Sequence, residues 1–198
     1  MIKGKFLVAF DGTHASGKTT LLYYVAAKLK EQGFNCVVLP EPARNSSLLD
    51  DVILRNIGHF DIPVEVDLIM NYISQCIRGT RDGDIILSDR TPVSVLAYKK
   101  LLVDASDEIE ELLWERCETL VERWMCFYDL VFYCQDFYEI DIARDNRRRK
   151  ALGIQSDVDI ETRKQHERFN CTLQYVPIKL SLEEKGNCVI EKIKNIII

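Results

Sequence analysis

The stretch FLVAFDGTHASGKTT, residues 6–20, decides the fold that the rest of the chain is predicted to adopt. It begins with five apolar residues, which are typical of a strand buried in a parallel sheet. A loop begins at Gly12 and ends with Gly17-Lys18-Thr19. Four residues separate Gly12 from Gly17, which gives the pattern G-x-x-x-x-G-K-T. A buried strand, a glycine-rich loop and a helix in this order predict a loop that wraps around a polyphosphate.

Each part of this segment has a chemical reason to bind phosphates. Glycines are needed where a Cβ atom would collide, so that successive backbone N–H groups can point at the anion. Lys18 adds a positive charge for the β- and γ-phosphates, and the Thr19 hydroxyl is a candidate Mg²⁺ ligand. An incidental glycine-rich turn is the alternative, and the amphipathic helix that follows argues against it. The predicted nucleotide-binding residues are Gly12, Thr13, His14, Ala15, Ser16, Gly17, Lys18, Thr19 and Thr20.

The composition indicates a globular domain and narrows the possible functions. The 198 residues, 47% hydrophobic and 29% charged, predict a single domain with a substantial core. The net charge of −5 argues against broad binding of nucleic acid. No apolar run is long enough to cross a membrane, and residues 1–5 leave no room for a signal peptide before the first strand. With seven cysteines and no C-x-x-C pair, the chain is predicted to be cytoplasmic, with reduced and mostly buried thiols.

Apolar blocks and helical patterns alternate along the rest of the chain. Strands are predicted at 6–10, 35–39, 85–87, 130–134 and 175–178. Helices are predicted at about 18–32 and 47–56, from 63, from 92, from about 106 with Ser106 as the N-cap, at 157–173 and at 188–198. This alternation predicts a parallel sheet covered on both faces. The predicted fold class is α/β, a three-layer α/β/α P-loop NTPase fold with a five-stranded parallel sheet in one domain, residues 1–198.

Polar residues follow the predicted strands at the edge where parallel sheets bind ligands. They are Asp11, Glu41, Arg44, Asp89 and Arg90, and we expect them to converge on the phosphate loop. Glu41 is a base candidate if the phosphoryl acceptor is a hydroxyl, and otherwise a carboxylate of a surface turn. Asp89 is expected near Mg²⁺ or the acceptor, or as a helix cap. Arg90 is expected to contact the acceptor or the transferred phosphate, or to form a structural salt bridge. Arg44 is expected either to pair with Glu41 or to bind the acceptor.

Several classes of P-loop protein lack support in this sequence. The Asn-Lys-x-Asp sequence by which GTPases recognise guanine is absent, and so is the Leu-Ser-Gly-Gly signature of transporter ATPases. AAA-type and helicase-type ATPases place Asp-Glu after a strand where this chain has Asp89-Arg90, which argues against them. The remaining class is the small kinases, which phosphorylate a nucleoside, a nucleotide or a similar small molecule.

Residues 5–150 resemble the thymidylate kinases. Residues 89–98, DRTPVSVLAY, resemble that family's Asp-Arg-Tyr segment followed by Ser and Ala-Tyr, and Glu41-Pro42 resembles its Glu-Pro after the second strand. Residues 144–149 stand at the place of its arginine-rich lid. Thr91 replaces the aromatic residue of the motif, and residues 13–16, THAS, replace the family's usual acidic-glycine version of the loop. Both departures weaken the argument for thymidine as the base of the acceptor.

A second resemblance is to the kinase domain of nicotinamide riboside kinases. It is carried by residues 41–44, EPAR, 128–132, YDLVF, 141–144, DIAR, and 166–169, HERF. Both resemblances imply the same fold and the same phosphoryl donor. They differ in the acceptor.

The basic segment after the fourth predicted strand is a candidate lid, at about 137–152. Arg144 lies one helical turn from Arg147 and Arg148, so that these side chains can share a face. A planar guanidinium suits the charge that develops on the equatorial oxygens of a transferred phosphoryl group. A merely solvated helix face is the alternative.

Together these observations predict a kinase that depends on ATP and Mg²⁺. Its acceptor partner is a small-molecule nucleoside or nucleotide, nucleic acid is an unlikely partner, and a homodimer is possible. The predicted catalytic residues are Lys18, Glu41, Asp89, Arg90, Arg144 and Arg148, with Thr19 and Asp89 as metal ligands. Trp114 and Trp124, on one predicted helix, could serve a dimer interface or pack in the core. The alternatives are a non-enzymatic nucleotide-dependent switch or binding protein and a polynucleotide 5′-end kinase.

Overall fold

The computed structural model describes residues 4–103, 107–138 and 153–197, in which strands and helices alternate as predicted. The strands are β1 (Phe6–Asp11), β2 (Cys36–Leu39), β3 (Ile85–Asp89), β4 (Leu130–Cys134) and β5 (Leu173–Val176). The helices are α1 (Lys18–Glu31), α2 (Ser47–Ile53), α3 (Ile62–Asp82), α4 (Val93–Leu102), α5 (Glu108–Met125), α6 (Gln155–Arg168) and α7 (Leu182–Ile197). A 3₁₀ turn covers Pro42–Arg44, directly after β2.

The five strands form one parallel sheet in the order β2-β3-β1-β4-β5. Alternate side chains of β1 face opposite layers, because successive residues of a strand point to opposite faces. Val8 and Phe10 pack with α1 and α7, whereas Ala9 packs with α3, α4 and α5. The predicted three-layer fold with a five-stranded parallel sheet is therefore confirmed.

Several predicted boundaries are wrong at the ends of elements. β5 ends at Val176, before Pro177, because proline lacks the N–H that a further ladder bond needs. α6 ends at Arg168 instead of 173, and α7 begins at Leu182 instead of 188. The N-cap of α5 is Asp107, which accepts hydrogen bonds from two backbone N–H groups, and Ser106 lies outside the described residues.

The sheet brings the carboxyl ends of its inner strands to one edge. β1 is the central strand, with Phe10 opposite Asp89 of β3 and Asp11 opposite Tyr133 of β4. The segments that follow β1, β2 and β3 therefore leave the sheet side by side. This edge holds the phosphate loop and the strand-end residues predicted to converge on it.

The core accounts for the tryptophans and most of the cysteines. Trp114 and Trp124 are buried within the chain, so they pack in the core and do not present an interface. All seven cysteines are free thiols, and four are buried, namely Cys36, Cys76, Cys117 and Cys134. Among the described residues, none of the helices is both long enough and apolar enough to cross a membrane.

Candidate active site

The phosphate loop between β1 and α1 has the backbone shape that its glycines predict. Gly12 has φ 140°, and a Cβ atom there would lie 2.5 Å from the carbonyl oxygen of Cys134, so no larger residue fits. Gly17, at φ 77°, occupies the left-handed region directly before α1 begins at Lys18. The N-terminal end of α1, with its free N–H groups, is thus aimed at the space that the loop encloses.

Contacts from distant parts of the chain hold this loop. The Thr13 hydroxyl donates a 3.0 Å hydrogen bond to the carbonyl of Gln155, the first residue of α6. The Gln155 side chain donates in turn to the carbonyl of His14, and the backbone N–H of Tyr138 donates to the carbonyl of Ala15. The Thr13 side chain therefore holds the loop in place. The Ser16 hydroxyl, in contrast, is buried without a hydrogen-bond partner among the described residues.

Lys18 is held over the loop. Its side chain is buried, and its Nζ donates a 3.2 Å hydrogen bond to the carbonyl of Thr13. Burial is the main cause of a lowered Lys18 pKa, and the nearby positive charge of Arg90 adds to it, while Glu41 and Asp89 oppose the shift. A cation held in this way can transfer its hydrogen bond from the loop to a bound phosphate.

Thr19 and Asp89, the two predicted metal ligands, lie together. The Thr19 hydroxyl donates a 2.7 Å hydrogen bond to Oδ2 of Asp89, and Oδ1 of Asp89 is buried without a hydrogen-bond partner in the described structure. Burial raises the pKa of Asp89, and Lys18 counteracts part of that rise. A hydroxyl and a spare carboxylate oxygen suit Mg²⁺, which takes one or two protein oxygens and completes its shell with phosphates and water. No cluster of three His, Cys, Asp or Glu side chains that could hold a metal occurs in residues 4–103, 107–138 and 153–197.

Arg90 and Glu41 form a buried ion pair beside the loop. Arg90 is 1% exposed, its Nε lies 2.6 Å from Oε1 of Glu41, and its Nη1 donates a 2.8 Å hydrogen bond to the carbonyl of Gly12. Burial acts to raise the pKa of Glu41, but the charges of Arg90 and Lys18 outweigh it and lower the pKa to about 2. Glu41 is therefore ionised near neutral pH.

Two further details of this pair concern the roles that the sequence left open for Arg44 and Arg90. Arg44 pairs with Glu41, since its Nε lies 3.6 Å from Oε2 of that carboxylate. Arg90 has an unused hydrogen-bond donor, because its Nη2 has no hydrogen-bond partner in the described parts of the chain. A fully buried guanidinium with a spare donor is suited to a phosphate or hydroxyl oxygen that arrives with a ligand.

Asp11 is the centre of a cluster that sequence reasoning did not assemble. Its two oxygens accept hydrogen bonds from the Gly12 N–H at 2.8 Å, the Thr91 hydroxyl at 2.6 Å and the Ser94 hydroxyl at 2.8 Å. Nε2 of His166 lies 3.0 Å from its Oδ2. This Asp11 cluster ties β1 to α4 and α6. Thr91 and Ser94 belong to the segment with the family resemblance, but no local pattern links His166 to Asp11 across 155 residues.

A pocket with a cavity volume of about 90 Å³ adjoins this cluster on the side of α2, α3 and α4. Its polar residues include Glu41, Arg90, Ser94 and Tyr98. Its apolar walls include Leu49, Ile53, Phe60, Leu68, Val95 and Leu102. His14 is half-buried here, with its ring 5.2 Å from that of Tyr98. The pocket therefore adjoins the phosphate loop, and it combines apolar walls with a few polar groups, as ligand sites do.

A second groove is lined by residues of the phosphate loop, α1 and α7. Thr20, Cys134, Tyr138, Val176 and Leu182 are among its lining residues. The Tyr138 ring stands 3.2 Å from the position that a Cβ atom on Gly17 would take. The two spaces thus adjoin different residues of the phosphate loop, which are His14 in the first pocket and Ser16 and Gly17 in this groove.

The predicted lid is almost wholly beyond what the structure describes. Of residues 137–152, only Phe137 and Tyr138 are described, and Arg144 and Arg148 lie outside the described residues. Of the six predicted catalytic residues, the structure brings four together, namely Lys18, Glu41, Asp89 and Arg90.

Comparisons with known proteins agree on the fold class. A family model described as "AAA domain" matches residues 7–185. A thymidylate kinase of Nitratidesulfovibrio vulgaris is 32% identical over 101 residues, which span 46% of this chain and 45% of that protein. A thymidylate kinase of Geobacillus thermodenitrificans is 25% identical over 171 residues, 82% of this chain and 73% of that protein.

A solved structure supports the same architecture. The crystal structure of NadR protein in complex with NR has a TM-score of 0.70 and 16% identity, and the match covers 96% of this chain and 49% of that chain. At this identity the likeness concerns the fold alone. The chain thus spans about half the length of NadR and of the first thymidylate kinase.

The family match bears on one class that the sequence argued against. Asp89-Arg90 stands at the end of β3, where AAA-type ATPases place Asp-Glu, and the matching family is nevertheless described as "AAA domain". The match shows membership of that P-loop family, and it leaves the argument from the strand-end dipeptide as it stands.

Proposed function

This chain belongs to the AAA domain family of P-loop proteins, and from that premise we propose that it is an ATP-dependent kinase of a nucleoside monophosphate or a nucleoside. One observation carries the proposal, namely a second pocket beside the phosphate loop, connected to it by Arg90 and Glu41. A nucleotide-dependent switch needs only the loop, whereas a kinase needs a place for the acceptor. The similarity to thymidylate kinases supports the same class of reaction.

The groove lined by the phosphate loop, α1 and α7 is the proposed site of the adenine ring of ATP. A base bound there would lie next to Thr20 and Tyr138, and the phosphates could run along the loop towards Lys18. Backbone N–H groups of the loop and the dipole of α1 would stabilise the triphosphate. The donor and the acceptor would then adjoin different residues of the loop, in a geometry that brings the γ-phosphate to the acceptor pocket.

In the proposed mechanism, the chain supplies position and charge. Lys18 and Arg90 neutralise the charge that develops on the transferred phosphoryl group, and the Thr19 hydroxyl and the Asp89 carboxylate would hold Mg²⁺. Bound Mg²⁺ would supply further charge neutralisation between the β- and γ-phosphates. On sequence grounds, Arg144 and Arg148 complete this set as lid residues, so that alanine at either should lower turnover more than it weakens ATP binding.

The state of Glu41 favours a phosphate as the acceptor group. A carboxylate with a pKa of about 2 has a low proton affinity, so it is a poor general base near neutral pH. A phosphate acceptor is already ionised and needs no base. The spare Nη2 donor of Arg90 provides a contact for such a phosphate. We therefore place a nucleoside monophosphate first and a free nucleoside second.

A coupled assay of ADP release tests the proposal. The purified chain with ATP and Mg²⁺ is offered nucleoside monophosphates, nucleosides and nicotinamide riboside one at a time. We expect turnover with at least one monophosphate and its loss in Lys18→Ala. Turnover with nicotinamide riboside alone would replace the proposed acceptor by that of the second resemblance. ATP binding without transfer to any acceptor would instead indicate a nucleotide-dependent switch or binding protein.

A further inference from the structure

Glu65 is a buried acidic residue in the acceptor pocket that the proposed mechanism does not use. It lies in the first turn of α3, is 2% exposed and lines the pocket beside Phe60 and Leu68. Its Oε2 atom is buried and has no hydrogen-bond partner among the described residues. Buried polar atoms are normally hydrogen-bonded, so this oxygen requires an explanation.

Each of the other carboxylates of this region has at least one polar partner within the chain, although Oδ1 of Asp89 has none among the described residues. Asp11 accepts three hydrogen bonds and lies beside His166, and Glu41 pairs with Arg90. Asp89 accepts a hydrogen bond from Thr19 at the expected metal position. Glu65 differs in that its surroundings are mostly apolar. A partner for its carboxyl group would therefore come from the molecule that occupies the pocket.

We propose that Glu65 is the residue that selects the acceptor, by pairing its carboxyl group with adjacent hydrogen-bond donor and acceptor atoms on the edge of a neutral planar ring, as nucleobases present. This inference rests on the proposed function, because it takes the pocket to be the acceptor site. Arg90 and Glu41 lie against the phosphate loop and would face the reacting end of the acceptor. Glu65 would contact its other end, where the ring lies.

The protonation state of Glu65 fits a neutral ring. Burial, with a smaller contribution from Asp61, raises its pKa from 4.5 to about 8, and Lys99 partly opposes that rise. The group is therefore mainly uncharged near neutral pH. An uncharged carboxyl group has one O–H donor and one carbonyl acceptor, which match a ring edge that carries one acceptor and one donor side by side.

Glutamine at position 65 separates this pairing from an attraction between charges. A glutamine side chain offers a donor and an acceptor in nearly the same positions as an uncharged carboxyl group, whereas leucine offers neither. Glu65→Gln should therefore retain binding of the acceptor, and Glu65→Leu should lose it. If an ionised Glu65 instead attracted a cationic ring such as a pyridinium, both variants would lose binding to a similar degree.

Isothermal titration of the full chain at neutral pH measures the effect independently of catalysis. The probes are thymidine, uridine, cytidine, adenosine and guanosine monophosphates, with ribose 5-phosphate as a probe without a ring. For the best-bound monophosphate, we expect Glu65→Gln to bind within about threefold of the wild type and Glu65→Leu to bind about 10²-fold more weakly. Ribose 5-phosphate should bind all three proteins equally. Glu111→Leu, an exposed position on α5, is the matched control and should behave as wild type.

Thermal unfolding distinguishes selection from a structural role. Leucine removes a buried carboxyl oxygen that lacks a partner, so Glu65→Leu should unfold at a temperature at least as high as the wild type. A structural residue would show a lower unfolding temperature together with weaker binding, and that result would overturn the proposal.

The binding results separate the two proposals. Unchanged monophosphate affinity in Glu65→Leu would overturn the role of Glu65 and leave the kinase proposal intact. Equal losses in the glutamine and leucine variants would overturn the neutral pairing in favour of a charged one. A wild-type chain that binds none of these monophosphates in the titration and phosphorylates no nucleoside in the coupled assay would overturn both proposals.

Discussion

Asp11, at the end of β1, and Glu65, in the first turn of α3, are both buried acidic residues, but their surroundings are opposite in kind. Burial acts to raise the pKa of both. At Asp11 the hydrogen bond and charge of His166, with Arg90 and Thr91, outweigh that effect and hold the pKa well below its usual range. At Glu65 burial prevails, because few groups stabilise the charged form.

The difference indicates how this edge of the sheet is divided. Both carboxylate oxygens of Asp11 have partners within the chain and hold the strand ends beside the phosphate loop, although Nδ1 of His166 is buried without a partner among the described residues. In the pocket lined by α2, α3 and α4, Oε2 of Glu65 and Nη2 of Arg90 lack partners in the described parts of the chain. A carboxylate whose partners all lie within the chain supports the structure, whereas spare polar atoms that line a pocket are suited to recognising a ligand.

The largest expected effect comes from Lys18→Ala, which separates the loop from the pocket. Loss of the charge nearest the transferred group should lower turnover by about 10²-fold or more, on the scale of lost electrostatic stabilisation. Binding of the acceptor monophosphate should change little, because Lys18 does not line its pocket. The coupled assay and isothermal titration measure the two quantities. Lys30→Ala, which removes an exposed cation from the same helix, is the control. Near-normal turnover in Lys18→Ala would contradict the assignment.

Asp11→Asn tests how much the hydrogen bonds to Asp11 contribute to the free energy of unfolding. The amide can no longer accept all the hydrogen bonds that converge on the carboxylate, and buried donors are left unpaired. We expect the free energy of unfolding to fall by about 3 kcal/mol, measured by urea denaturation. Glu65→Gln, the equivalent change in the pocket, should not lower it. Equal losses in the two variants would remove the distinction between the two regions.

Glu41→Gln probes the boundary between the two regions, where the ion pair with Arg90 lies. Because Glu41 is a poor base, we expect turnover of a monophosphate acceptor to fall less than about tenfold, whereas loss of a general base would cost about 10²–10⁴-fold. Steady-state kinetics with a monophosphate and with the matching nucleoside make the comparison. A loss in the larger range for both acceptors would assign the role of base to Glu41.

The smallest effect is the dependence of stability on pH at Glu65. Its pKa is raised from 4.5 to about 8 in the folded chain, so the folded state binds the proton more tightly than the unfolded state. Stability should therefore fall as pH rises through this window, and glutamine, which does not titrate, should escape that fall. The unfolding temperature of Glu65→Gln relative to wild type should increase from the acidic to the alkaline end of the window. A constant difference would contradict the raised pKa.

Other charged and titratable groups lie near Glu65, and their titration also affects how stability depends on pH. Asp61 and Lys99 act on it directly, and the pocket also holds His14, Glu41, Tyr72, Arg90 and Tyr98. They are present in both proteins, so the difference between wild type and Glu65→Gln isolates the carboxyl group.

By itself, the sequence determined the phosphate loop, the parallel α/β fold and the strand ends that carry Glu41, Asp89 and Arg90. These features are local. A run of apolar residues, a spacing between glycines and the position of a polar residue after a strand are all properties of a short segment, and neighbouring parallel strands end at one edge. Element ends, such as those of α6 and α7, were predicted less well because several residues at each end can join or leave a helix at small cost.

Only the tertiary structure decided which polar groups of the site have hydrogen-bond partners. His166 meets Asp11, Gln155 binds the phosphate loop, and the Cys134 carbonyl makes glycine necessary at position 12, each across more than a hundred residues. Glu65 shows the same limit, because a carboxylate in the first turn of a helix is common for its interaction with the helix dipole. The burial of its Oε2 atom without a hydrogen-bond partner depends on how α2, α3 and α4 pack together. Sequence periodicity shows which face of a helix is buried, but it does not show which residues pack against that face.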